Sequence, residues 1–132
     1  MSLSKDLPPG TVVVTDRFFS SPYLAFRLLV NGLHLLSTIM ANRKAWPKDL
    51  KLAPKAPRGA FDWKVCEKTG IRAIVWNDNS LVSMISTFGD PTTTYICTRR
   101  GHKGKDGKKV PLEVPIPTTT HLYNQYMGGR TQ

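Results

Sequence analysis

The sequence predicts an α/β protein, with a strand–helix–strand unit first, an antiparallel β-rich stretch after it and a closing helix. Three observations carry that expectation. Val12, Val13 and Val14 run together without the polar alternation of a half-exposed strand, the pattern of a strand covered on both faces. Ser21-Pro22 then supplies a cap and first-turn pair for a helix. From Phe61 onward the apolar period falls to two, which belongs to half-covered antiparallel strands. With 132 residues, 40% of them hydrophobic and 21% charged, the chain is long enough for one modest core and is not compositionally disordered.

Each element has a local reason. Thr11 to Thr15 forms the first strand, and Asp16 falls where it meets solvent. The helix runs from Pro22 to about Asn31 with Leu24, Ala25, Leu28 and Leu29 on one face, and Gly32 stops it. Leu33 to Met40 returns as a strand. Residues 41 to 59 hold Pro47, Pro54, Pro57 and Gly59 among basic residues, an irregular connector. Phe61, Trp63 and Val65 alternate, Thr69-Gly70 turns, and Ile71, Ala73 and Val75 alternate back. A turn at Asp78-Asn79 leads into Leu81 to Phe88, which completes a meander. Tyr95 to Thr98 is a short strand, Asp106-Gly107 a hairpin turn, and Val110 to Pro117 an extended run. Thr118 or Thr119 caps a last helix through Met127. Four stretches follow: a polar leader at 1–10, a strand–helix–strand core at 11–45, a basic β-rich insertion at 46–116, and a C-terminal helical stretch at 117–132.

Charge is the second bound on function. Nineteen Lys and Arg against nine Asp and Glu give a net charge of +10, a field that draws polyanions. The cations cluster at 42–72, from Arg43 to Arg72, and again at 99–109, from Arg99 to Lys109. They read either as solvated surface or as contacts to a phosphate backbone, and the second is favoured because both clusters fall on loops beside the edge that carries Asp16. Neither resembles a base-reading module. Trp46, flanked by Lys44 and Lys48, is the ring placed to stack on a base, whereas Trp63 and Trp76 read as sheet residues.

Other chemistry is thin. Cys66 and Cys97 form no Cys-x-x-Cys pair and read as reduced thiols, and the three histidines are scattered. No serine or cysteine sits in a nucleophile motif. Asp78 and Asp90 read as turn residues. The longest apolar stretch, Tyr23 to Leu36, is broken by Arg27, Asn31 and His34, so no membrane association is expected.

A larger pattern overlies these elements. Asp16-Arg17-Phe18-Phe19-Ser20-Ser21-Pro22 is followed by Ser37 to Lys44 and by Pro47-Lys48-Asp49-Leu50-Lys51. Next come Arg58-Gly59, Trp76-Asn77-Asp78-Asn79 with Val82 and Ser86-Thr87, and Val114-Pro115-Ile116-Pro117 leading to Tyr123-Asn124-Gln125-Tyr126-Met127-Gly128-Gly129. In this order the set resembles the catalytic region of piggyBac-type transposases. The resemblance implies a partial ribonuclease-H-like fold in 11–45 and 117–132, and a chain working on DNA in the nucleus. It further implies clustered aspartates holding two Mg²⁺ that activate the attacking oxygen and stabilise the leaving one. Asp16 matches the second aspartate of that set.

In the family the remaining aspartates lie well upstream of the Asp16 motif and, after the Met-Gly-Gly motif, one apolar residue further on and again three residues later, where this sequence has Arg130-Thr131-Gln132. Arg17 stands where the family has asparagine, Ser37 where it has glycine, and Met40 where it has arginine. A cation next to Asp16 favours the ionised carboxylate but competes with a metal for it. The expectation is therefore a catalytically incomplete transposase segment. It would bind no Mg²⁺ productively at Asp16, cut no strand by itself, and hold DNA through Arg43, Lys44, Lys48, Lys51, Arg99 and Arg100. Two alternatives stand beside it: a domesticated interaction protein that binds an intact transposase or a chromatin partner, and a truncated coding sequence with no function of its own.

Overall fold

The computed structural model describes residues 8–17, 20–78, 80–103, 107 and 109–128, with backbone alone at 99–103, 109–110 and 128. Among the described residues seven strands and two helices follow in the order β1 (Val12–Thr15), α1 (Pro22–Val30), β2 (His34–Thr38), β3 (Phe61–Val65), β4 (Arg72–Asp78), β5 (Ser80–Ser86), β6 (Thr94–Lys103), β7 (Lys109–Pro117) and α2 (Thr118–Gly128). β1 to β5 make one sheet in the order β1-β2-β5-β4-β3, and β6 pairs with β7 in a separate ribbon.

The strand–helix–strand unit forms for the reasons its residues give. β1 and β2 are parallel, Val13 opposite Leu35 and Val14 opposite Leu36, as a helical crossover requires. Ser21 caps α1, its hydroxyl accepting from the Leu24 N–H at 3.0 Å, with Pro22 in the first turn. At the other end the Asn31 amide donates to the Arg27 carbonyl at 2.8 Å. Gly32, at φ +75°, donates its N–H to Leu29 while Leu33 donates to Leu28, closing the helix.

β3, β4 and β5 are the antiparallel meander that the period-two pattern predicts, with Trp63 opposite Ile74, and Ile74 opposite Met84. One pairing was not visible in that pattern. β5 lies antiparallel to β2, Ser37 opposite Ile85 and Thr38 opposite Met84. The sheet is therefore continuous across residue 45, and the meander widens the strand–helix–strand sheet instead of standing apart from it. β6 also runs longer than the expected Tyr95–Thr98 because the full length of β7 pairs with it, with an irregularity between Arg100 and Lys103.

Both faces of the sheet are covered. On one, Leu35, Ala73, Val75 and Ile85 pack under Ala25 and Leu28 of α1 and under Trp46 and Leu50 of the 41–59 connector. On the other, Leu36, Ile74 and Met84 pack under Leu122 and Tyr123 of α2, and Trp76 packs against Val114 and Ile116 of the ribbon. Each large side chain so removed from water contributes roughly 1.5–3 kcal/mol.

Two contacts fasten the ribbon to the sheet. The Trp76 indole N–H donates to the Pro115 carbonyl at 2.8 Å. Gly59, at φ +96°, lies so close to the ribbon that an added Cβ would come within 2.7 Å of Pro115 Cδ, and its N–H donates to Asn77 at 2.6 Å. We expect Gly59→Ala to destabilise the protein by more than about 1 kcal/mol, since both the backbone angle and the space forbid the methyl. Trp76→Phe should cost about 1–3 kcal/mol by leaving the Pro115 carbonyl without its donor. Urea unfolding of both variants checks these values, and an unchanged midpoint in either would remove the corresponding contact from the account.

Candidate functional site

β1 and β2 point their carboxyl ends the same way, and the chain turns sharply after both. Hydroxyl groups tie the two strand ends together. Ser37 Oγ lies 2.7 Å from the Thr15 carbonyl and 2.7 Å from the Thr38 carbonyl, and accepts from Thr15 Oγ1 at 3.0 Å. Ser20, fully buried, donates its hydroxyl to the Thr38 carbonyl, and its N–H donates to the Asp16 carbonyl at 3.2 Å. The half-buried Asp16 thus sits on a braced turn at the carboxyl end of a parallel pair, where open α/β sheets place their ligands. Ser37 works here as a strut between the two strand ends.

Arg43 reaches back to the same turn, its Nη2 3.4 Å from the Arg17 carbonyl. Arg43 thus meets the backbone of the turn that also carries Asp16. Among the described residues no three His, Cys, Asp or Glu come together in a way that could hold a metal ion.

The other expected site residues fall in different places. Lys44, Lys48 and Lys51 are exposed along the connector. Arg99 and Arg100 lie on β6 opposite Leu112 and Pro111, with their side chains outside the described residues. Trp46 requires a correction. Far from offering a face to a base, it is 5% exposed and belongs to the core beneath the connector. Its lysine neighbours point to a surface, but apolar Leu50 and Leu52 in the same segment draw the connector down onto the sheet. Trp76 is 2% exposed, as a sheet residue should be, while Trp63 on the edge strand β3 is 38% exposed.

Several cations are already committed. Arg58 Nε donates to Asp78 Oδ1 at 2.8 Å. Lys64 pairs with Asp49 and, chiefly through that hydrogen bond, holds the Asp49 carboxyl below its usual range. Arg72 donates to the Gly89 carbonyl at 2.6 Å. Asp90 accepts from the Thr92 N–H at 2.9 Å and the Thr92 hydroxyl at 2.6 Å, so it is the turn residue the sequence predicts.

Two apolar clefts flank the connector, and Trp46 and Pro47 line both. The smaller, about 560 Å³, has Leu52, Val75 and Leu81 in its walls with Lys48 and Lys51. The larger, about 780 Å³, lies between α1 and the β3–β4 turn and contains Cys66. The Thr69 hydroxyl, then the Thr69 and Lys68 backbone, hydrogen-bond to this exposed thiol and hold it below its ordinary value. Cys97 instead donates to the Val114 carbonyl at 3.3 Å inside the ribbon. Sequence spacing gave no sign of Cys66's surroundings, because they depend on α1 and the turn meeting across the fold.

The comparisons with known proteins agree with this geometry. The family model described as Transposase IS4 matches residues 1–132. PiggyBac transposable element-derived protein 3 of Homo sapiens is 32% identical over 119 residues, covering 88% of this chain and 19% of that protein. The chain belongs to the piggyBac-type transposase family. PiggyBac transposable element-derived protein 2 of Homo sapiens is 30% identical over 116 residues, which cover 86% of this chain and 19% of that relative. The chain thus spans about a fifth of these curated relatives. A piggyBac transposase solved by cryo-EM in a synaptic complex with hairpin DNA matches with a TM-score of 0.68 at 21% identity. That match covers 97% of this chain and 24% of the solved one. It places the five-stranded sheet and closing helix of this piggyBac-type chain within the transposase fold. Among the described residues no helix is long and apolar enough to cross a membrane.

Two outcomes follow for this region. Cys66 should be alkylated by iodoacetamide with a midpoint below that of a free thiol, because its thiolate is the stabilised form, and Thr69→Val should move that midpoint up. Ala45, at φ +69°, holds the turn that delivers Trp46 to the core. Ala45→Gly should therefore stabilise the protein by up to about 1 kcal/mol in thermal or urea unfolding.

Proposed function

We propose that these 132 residues are a transposase-derived segment that holds DNA through its phosphates and does not itself cut strands. The observation that carries this reading is the run of cations that starts at the Asp16 turn: Arg43 donates to the Arg17 carbonyl of that turn, and the exposed Lys44, Lys48 and Lys51 follow along the connector. Such an arrangement suits a polyanion. A lone carboxylate cannot hold two cations or offset the charge that develops in phosphoryl transfer.

In the family Mg²⁺ supplies the electrophilic chemistry, and in this reading Asp16 is the remnant of its site. Arg43, Lys44, Lys48 and Lys51 make the phosphate contacts, and Arg99 and Arg100 on the ribbon add to them. The structural neighbour's capture with hairpin DNA supports DNA as the partner. Phosphate contacts position a duplex without reading it, so binding is largely indifferent to sequence. On this reading the chain works in the nucleus, and cell fractionation that finds it wholly elsewhere removes that part.

Salt dependence is the direct test. If the four connector cations each neutralise one phosphate, log K should fall against log salt with a slope of roughly −3.6, a loss on the order of 100-fold between 50 and 200 mM. Lys48→Ala with Lys51→Ala should lower the slope by about 1.8. Binding that is flat with salt overturns the phosphate reading. In the same samples no Mg²⁺-dependent nicking of transposon-end DNA is expected; nicking that disappears in Asp16→Ala would show that the chain retains a working metal site.

A further inference from the structure

The larger cleft has features that DNA binding does not use. Tyr23 and Phe26 stand one helical turn apart at the start of α1, 70% and 46% exposed, on one wall of a groove floored by Ile71, Ala73 and Ile85. At about 780 Å³ it falls within the size range of sites that enclose a ligand, roughly 300–1,000 Å³. Apolar walls give a hydrated phosphate backbone nothing. The Trp46 ring, flanked by lysines in the sequence, is packed into the core and offers no face to a base here.

Charge selects among the remaining occupants. Lys44 and Lys64 are in the lining and, among the described residues, no carboxylate is. Across the connector Arg43, Lys44, Lys48, Lys51, Lys55 and Arg58 face a single acid, Asp49, whose carboxylate is already engaged by Lys64. A second copy of this chain would bring its own charge of +10 to the same rim, which opposes self-association. The occupant that satisfies both walls and rim is acidic and amphipathic.

We infer that the cleft between α1 and the β3–β4 turn is a docking groove for an acidic amphipathic segment of a partner protein. Its apolar side chains enter between Phe26 and Ile71, and its carboxylates meet Lys44 and Lys64. This is the helix-in-groove mode, in which apolar residues spaced along one face supply the affinity. Flanking carboxylates fix orientation and speed encounter. A carboxylate arriving at Lys64 competes with Asp49 and can leave it to solvent without stranding a buried charge.

Cys66, in the groove lining, provides a built-in reporter. The probe is a fluorescein-labelled helical peptide of about 18 residues, with leucines on one face and glutamates on the other. Its controls are an isomer of the same composition with the leucines scattered and a version with lysine for glutamate. With the full chain, the acidic amphipathic peptide should bind saturably and slow Cys66 alkylation, and both controls should bind at least about tenfold more weakly, a difference of 1.4 kcal/mol. Phe26→Ser and Lys44→Glu should each weaken the peptide at least tenfold, while Phe26→Ser leaves DNA retention unchanged. Thermal unfolding shows whether Phe26→Ser is folded, and Tyr23→Ser takes its place if it is not.

Equal binding by the scattered isomer reduces the groove to charge attraction and overturns the inference. So does peptide affinity unaffected by both aromatic variants, or Cys66 that stays equally reactive under saturating peptide. Protection of Cys66 by duplex DNA, or by raising the protein's own concentration, would assign the groove to nucleic acid or to a second copy and overturn it equally. The phosphate reading of the connector is judged separately, by its salt slope.

Discussion

The antiparallel join between β2 and β5 is the pairing on which the rest of the molecule depends. It turns a two-stranded parallel unit and a three-stranded meander into one sheet with an apolar surface on each side. Part of that surface has a conventional cover in α1 and α2. The rest does not, because the chain spends residues 41–59 on a proline-rich connector and Thr94–Lys103 with Lys109–Pro117 on a ribbon. Both irregular pieces must therefore behave as packing layers. Trp46 and Leu50 make the connector one, and Val114 and Ile116 facing Trp76 do the same for the ribbon.

Covering a sheet with a connector has a consequence for binding. A helix laid on a sheet fills its footprint continuously, whereas a strap pinned at Trp46 leaves unfilled space on either side of the pin, and the two clefts are that space. The strap's inward side chains are apolar and its outward ones cationic. One segment thus supplies both a charged surface for polyanions and the walls of apolar grooves. The parallel pair contributes the complementary feature, a braced strand end where Ser20, Ser37 and Thr15 fix the turn that presents Asp16.

How much of this could be read from residues alone follows from the range of each interaction. The caps of α1 were legible because Ser21, Pro22 and Gly32 act on their immediate neighbours. The meander was legible because turns and period-two alternation are local as well. The β2–β5 join was not, since nothing in Ser37 or Ile85 specifies a partner some fifty residues away. Trp46 misled for the same reason. Its neighbours Lys44 and Lys48 are surface residues, and only the sheet beneath shows that the ring between them turns inward. Arg58 and Lys64 looked like members of one cationic cluster until the fold delivered Asp78 and Asp49 to them. The Asp16 edge was predictable as a strand end, and its serine bracing was not.

These commitments change what the net charge means. A count of +10 treats every cation as available, but Arg58, Lys64 and Arg72 are spent on carboxylates and carbonyls that hold the β3–β4–β5 side together. Among the described residues, the exposed Lys44, Lys48 and Lys51 are left on the connector, between the Asp16 turn at one end and the grooves along its length. A ligand drawn there by long-range attraction is then sorted by what lies beside the lysines. Phosphate needs only the charges, whereas a protein segment must also fill apolar walls, so the same strap can attract both classes of polyanion and distinguish them at short range.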